Sequence, residues 1–196
     1  MSTSHAQGAD VVMNGGSGDT GLRQVRRISA AMVWVCRALM VVMPLALVGY
    51  WGWAGTQSLA AQANLAPSAL MAPLATWQRV VAALAMAVPL ALLLWGVMQA
   101  HRCFALFAQG EVFTSRTTAL LRRFSGWVAA AALAAIVASA VVSVVLTVTN
   151  PPGMRQLAIG VGSNHVFTLF FAATVWLMAA VIGQGQALAE ENQRFV

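Results

Sequence analysis

The stretch Gly126–Val148, GWVAAAALAAIVASAVVSVVLTV, decides the architecture. It contains no charged side chain. As a helix rising 1.5 Å per residue it covers about 35 Å, enough to cross a hydrocarbon core of about 30 Å. In hydrocarbon every backbone amide must be paired within its own segment, so a run of this kind becomes a helix or does not insert. Three further runs share the property: Ala38–Gly55, Val80–Met98 and Val166–Ile182. The fold class read from them is all-α, an integral membrane four-helix bundle. The spans are expected at about 32–55, 80–100, 125–148 and 160–183.

Composition agrees. The chain of 196 residues is 60% hydrophobic and 8% charged. A soluble domain is about 25% charged, and without that charge it could not cover its core with polar surface. The formal net charge of +6 comes from eleven arginines and no lysine. Those arginines sit at the ends of the runs and not on one soluble face. They read as membrane-flanking charge, and no direct nucleic-acid binding is expected.

The arginines also orient the zigzag. The segment before the first run carries Arg23, Arg26, Arg27 and Arg37; the second loop, Gln99–Ser125, carries Arg102, Arg116, Arg122 and Arg123. The tail adds Arg194. The first loop, Thr56–Arg79, holds only Arg79, and the third, Thr149–His165, only Arg155. Nine arginines therefore fall on one side and two on the other. Positive loops stay in the cytoplasm, so both termini are expected inside. The first run is too long, and too far from the start, for a cleaved signal peptide. Residues 1–22 are Gly-, Ser-, Asp- and Asn-rich and read as a disordered cytoplasmic leader. Residues 23–196 form the four-helix transmembrane domain.

Pro44 and Pro89 lie well inside their runs, where proline removes a hydrogen bond and bends the helix. Arg37 sits near the cytoplasmic end of the first run, where its stem lets the guanidinium reach the headgroups. Tyr50, Trp51, Trp53, Trp77 and Trp127 fall near run ends, as interfacial anchors do. Small residues recur every fourth position in the third run: Gly126, Ala130, Ala134 and Ala138. A second stripe, Ala131, Ala135, Ser139, Ser143 and Thr147, runs beside it. Membrane helices associate through such stripes by close backbone approach and short hydrogen bonds. Packing is therefore assigned to Gly126, Ala130, Ala134, Ala138, Ser139 and Ser143, with neighbours on more than one side. A homo-oligomer is the second use of the same surface.

No carboxylate lies inside a run: Asp10, Asp19, Glu111, Glu190 and Glu191 are all outside. Proton-driven transport usually needs an intramembrane acid or base with a partner. Cys36 and Cys103 lie toward the reducing side, which argues against a disulfide. They and His101 lack metal-ligand spacing. His165 follows Ser163 and Asn164, residues suited to capping a helix start. No catalytic constellation, cofactor or metal site is read from the chain, which is taken as non-enzymatic.

The second loop is the most structured piece outside the runs. Gly110 suits a left-handed helix end and Thr114 the cap of the next helix. The second span then continues to about Gln109, turns and re-enters. The stretch Phe104–Thr114, with Gly-Glu-Val-Phe-Thr at 110–114, leads through an arginine-rich turn into the third span. The chain ends on Leu188, then Glu190-Glu191-Asn192 and a terminal valine. These features resemble a bacterial family of small four-span membrane proteins, domain of unknown function 2975, over about residues 23–196. Ser115-Arg116-Thr117 departs from the acidic or amide residues usual after that threonine. The resemblance implies no established activity. Its members are often encoded beside a small helix-turn-helix regulator, which implies a regulatory partnership.

The reading that results is an accessory or regulatory membrane protein. It would meet a cytoplasmic regulatory partner through the second loop and the tail, with Arg116, Glu190 and Glu191 as the contact residues. The alternative is a small oligomeric transporter or channel. A protein protecting against a membrane-active toxin is a third option.

Overall fold

The computed structural model describes residues 7–66, 74–111, 114–151 and 153–193; for 7–22, Ala189, Glu190, Asn192 and Gln193 it describes the backbone alone. Five helices follow one another: α1 (Gln7–Trp53), α2 (Thr56–Gln62), α3 (Thr76–Gln109), α4 (Ser115–Thr147) and α5 (Ser163–Gln193). The described residues contain no strand. Four stretches are long and apolar enough to cross a membrane: Arg23–Trp53, Thr76–Gln109, Ser115–Thr147 and Ser163–Leu188. They contain the four expected spans almost entirely. Only the first few residues of the fourth, and one or two residues at the ends of the first and third, fall outside.

Two elements differ from the sequence expectation. Helix α1 is already under way at Gln7, so most of the expected leader continues the helix. The first loop holds α2, whose Leu59 and Ala60 are fully buried. Asn64, at φ 54°, ends it, and the Leu65 amide donates to the Ala60 carbonyl at 2.9 Å. Leu59, Ala60, Ala63 and Leu65 pack with Trp51, Ala82, Val142 and Leu146 into a small core at this end of the bundle. Trp51, expected at an interface, is thus buried, whereas Trp53 is 94% exposed.

The helices pack in the order α1, α3, α4, α5, with α3 and α4 central. Of the most apolar window of α4, 39% is buried, against 6% for α1 and 11% for α5. The outer faces carry Trp34, Val48, Leu84, Val137, Phe170 and Leu177, all exposed. Such a belt would be an aggregation liability in water and is ordinary against lipid. Pro44 and Pro89 both lie within uninterrupted helices.

The turn between α3 and α4 is closed as the sequence predicts. Gly110 adopts φ 94°, its amide donates to the Phe107 carbonyl, and the Glu111 amide donates to the Leu106 carbonyl, both at 3.0 Å. This is the Schellman arrangement, which satisfies the last carbonyls of a helix. The Thr114 hydroxyl then accepts from the Thr117 amide at 3.3 Å, and the Thr114 amide donates to the Thr117 hydroxyl at 3.2 Å. The Arg26 guanidinium donates to the Ala108 carbonyl at 3.0 Å, so α1 joins the same end. We call this the hairpin end.

At the opposite end Gln78 pins α3 to α4. Its side chain is fully buried, accepts from the Ala75 amide at 2.9 Å and donates to the Val145 carbonyl at 2.9 Å. It thereby caps the start of one helix and takes up a carbonyl from the last turn of the other. Gln78→Leu keeps the volume and removes both bonds. The expected cost is about 2 kcal/mol, because two backbone groups lose their partner. Unfolding of the full chain in detergent measures it, and an unchanged midpoint would show that the pin is dispensable.

Candidate functional site

Two polar concavities lie at opposite ends of the bundle. The first is an open groove of about 530 Å³ between the hairpin-end halves of α3 and α4. His101, Arg102, Ala105 and Leu106 line it from α3; Arg116, Ala119, Leu120 and Arg123 line it from α4. The i, i+3, i+4 spacing places these residues on facing stripes of the two helices. No carboxylate lines the groove, and no ion pair joins its arginines to an acid among the described residues. The Nε2 atom of His101 is buried and has no hydrogen-bond partner. Beside the groove, the Arg122 guanidinium stacks over the Trp176 ring at 5.3 Å and ties α4 to α5.

The second concavity, about 240 Å³, is lined by Gln62, Asn64, Met86, Ser139, Gly160, Asn164 and His165, with Ala61, Ala135 and Gly162. An extended strap between α4 and α5 builds it. Gly153, at φ 90°, turns the chain after α4, with the Met154 amide donating to the Pro151 carbonyl at 3.0 Å. That φ is one glycine adopts at no steric cost. The strap then doubles back along α4. The Gln156 amide donates to the Thr147 hydroxyl at 3.2 Å, and the Ala158 amide donates to the Ser143 hydroxyl at 3.0 Å. Each hydroxyl in turn donates to a carbonyl of α4, Ser143 to Ala140 at 2.7 Å and Thr147 to Ser143 at 2.8 Å. Gly160 and Ser139, one step further on, both line the concavity. Leu157, Ile159 and Val161 alternate with these residues and are exposed.

The structure places the sequence-predicted site residues as follows. Arg116 is exposed and lines the hairpin-end groove. Glu191 is exposed near the end of α5, and the side chain of Glu190 lies outside the described residues. Among the described residues no ion pair brings Arg116 and Glu191 together. Of the packing residues, Ala138, Ser139 and Ser143 are buried, and Ala130 and Ala134 are half-buried. Gly126 is corrected: it is exposed, and a Cβ there would meet nothing within 4 Å. The glycine at the helix crossing is Gly96 of α3, where a Cβ would lie 3.2 Å from Trp127 Cβ and 3.6 Å from the Phe124 carbonyl oxygen. Sequence reading also missed Gln78 and the strap. The signals were a lone glycine inside the second run, an amide at the mouth of α3, and alternation of apolar with small or polar residues over 156–161. No group of three or more potential metal ligands forms among the described residues.

Comparison with known proteins gives one match. Residues 58–196 fit the family model described as protein of unknown function (DUF2975). The match begins within α2 and takes in α3, α4, α5 and the chain lining both concavities, but not α1. No curated protein matches the chain, and no solved structure does.

Proposed function

Since the chain belongs to the DUF2975 family of proteins of unknown function, we propose, on the strength of its own surfaces, an accessory or regulatory role in the bacterial cytoplasmic membrane. The protein spans the membrane four times with both termini and the α3–α4 turn inside. It acts without catalysis, by contact with a cytoplasmic regulatory partner at the hairpin end and the tail. Arg116, Glu190 and Glu191 make that contact. One observation carries the reading: beside the capped turn at Gly110 and Thr114, Arg102, Arg116 and Arg123 line one groove, and among the described residues no acid pairs with them. A turn fixed at both helix ends gives up little entropy when a partner docks.

Orientation is tested first. Reporter fusions after Gln62 and after Gly153 are expected to read outside, and fusions within 116–122 and at the C-terminus inside. An outside C-terminus overturns the arrangement. Contact is tested by affinity purification from native membranes in mild detergent. Arg116→Glu, or Glu190→Ala with Glu191→Ala, is expected to reduce partner recovery at unchanged membrane levels, because exposed charges add little to stability. Recovery unaffected by all of them removes the reading.

The alternative, a small oligomeric transporter, draws support from the strap-end concavity, where Asn64, Ser139, Asn164 and His165 come together from three parts of the chain. Loss of substrate flux in Ser139→Val without loss of protein would favour it.

A further inference from the structure

We propose that the groove between α3 and α4 at the hairpin end is a binding site for a phosphate-bearing anion, held by Arg102, Arg116 and Arg123 with His101. Its source is either the headgroup of an anionic membrane lipid or free phosphate in solution. The inference rests on the orientation proposed above, with the hairpin end in the cytoplasm, and it shares Arg116 with the proposed contact surface, but its test needs no protein partner.

Four observations converge. Three arginines from two helices line one groove of about 530 Å³, with no carboxylate among the lining residues. Arginine offers a planar fork that pairs two phosphate oxygens at once. The groove lies at the start of α4, a 33-residue helix, with Arg116 its second residue. The dipole of a helix start adds partial positive charge there. His101 lines the same groove, and its Nε2, buried and without a hydrogen-bond partner, is a ring nitrogen that can donate as N–H once the ring turns toward a bound anion. A buried polar atom without a partner marks a place where one is missing. Finally, Ala105, Leu106, Ala119 and Leu120 supply the apolar part of the lining. Basic pockets between membrane helices on the cytoplasmic side hold anionic headgroups in this way, with acyl chains along the helices below.

The test uses the full chain purified in a neutral detergent, with melting temperature as the readout. It is titrated separately with phosphatidylglycerol, with zwitterionic phosphatidylcholine, and with inorganic phosphate at constant ionic strength. The wild type is expected to be stabilised by phosphatidylglycerol or by phosphate, and not by phosphatidylcholine. Stabilisation by phosphatidylglycerol alone assigns the headgroup; stabilisation by phosphate alone, or by both, assigns the free anion as sufficient. Arg116→Gln and Arg102→Gln are each expected to weaken binding about tenfold, the equivalent of a charge-assisted hydrogen bond of roughly 1.4 kcal/mol. Arg27→Gln removes the same charge from α1, outside the groove, and is expected to bind as the wild type does. Melting in phosphatidylcholine shows that each variant is folded. The proposal is overturned if neither anion stabilises the wild type, or if Arg27→Gln and the groove variants lose binding equally.

Discussion

Gly96→Leu is expected to be the most damaging single substitution in the bundle, at about 3 kcal/mol. Its side chain would have to occupy the place where α3 and α4 touch. The nearest atom, Trp127 Cβ at 3.2 Å, is fixed to the α4 backbone and cannot swing aside as a side-chain tip would. Only separation of the helices makes room, and that also disturbs the contact between the Trp95 and Trp127 rings, whose centroids lie 6.2 Å apart. Gly126→Ala is the matched control. Its Cβ would enter open space, so it is expected to be neutral or stabilising by about 0.5–1 kcal/mol, the usual gain of alanine over glycine within a helix. Reversible unfolding in detergent ranks the two. The opposite order would mean that Gly126 faces a second copy of the chain.

The second large effect is local. Ser143→Ala combined with Thr147→Val removes both hydroxyls that accept from the strap, at Ala158 and Gln156. With about 1.4 kcal/mol for each lost acceptor, opening of the strap becomes about a hundredfold more frequent. Hydrogen exchange is the direct measurement: the amides of Gln156 and Ala158 should exchange that much faster, while amides in the middle of α4 keep their protection. Equal exchange in both proteins would show that something other than the hydroxyls holds the strap.

What the sequence revealed, and what it concealed, follows from the range of each signal. A membrane span announces itself by local composition, so all four long helices were legible from their apolar runs. The caps at Gly110 and Thr114 were legible too, because each depends on a residue's own chemistry within one turn. Facing was not. In α4 alanine occurs on every side, so a four-residue period cannot tell a stripe that meets a neighbour from one that does not. Gly126 was assigned to packing for that reason, and Gly96, a lone glycine in α3 outside any such stripe, was passed over. The strap was hidden differently. Leu157, Ile159 and Val161 follow an alternating pattern, but the pattern is short, and its partner is a pair of hydroxyls on a helix and not another strand. Of the hairpin-end site, Arg116 was legible as an arginine of the second loop, taken there as a contact residue. Its convergence with Arg102 and Arg123 depends on how two helices cross, which no linear spacing encodes.

The strap carries a mechanical implication for the tail. Two extended residues advance about 6.6 Å, and four residues of helix rise about 6.0 Å. Steps of two along the strap, 156 and 158, therefore mesh with steps of four along α4, 147 and 143, as a rack meshes with a pinion. The fit permits only discrete settings, about one helical turn apart. Because α5 starts where the strap ends, each setting fixes the height of the whole α5 rod, and with it how far Glu191 projects at the far end. Removing two strap residues would shift that projection by one tooth, whereas removing one would leave the teeth out of phase.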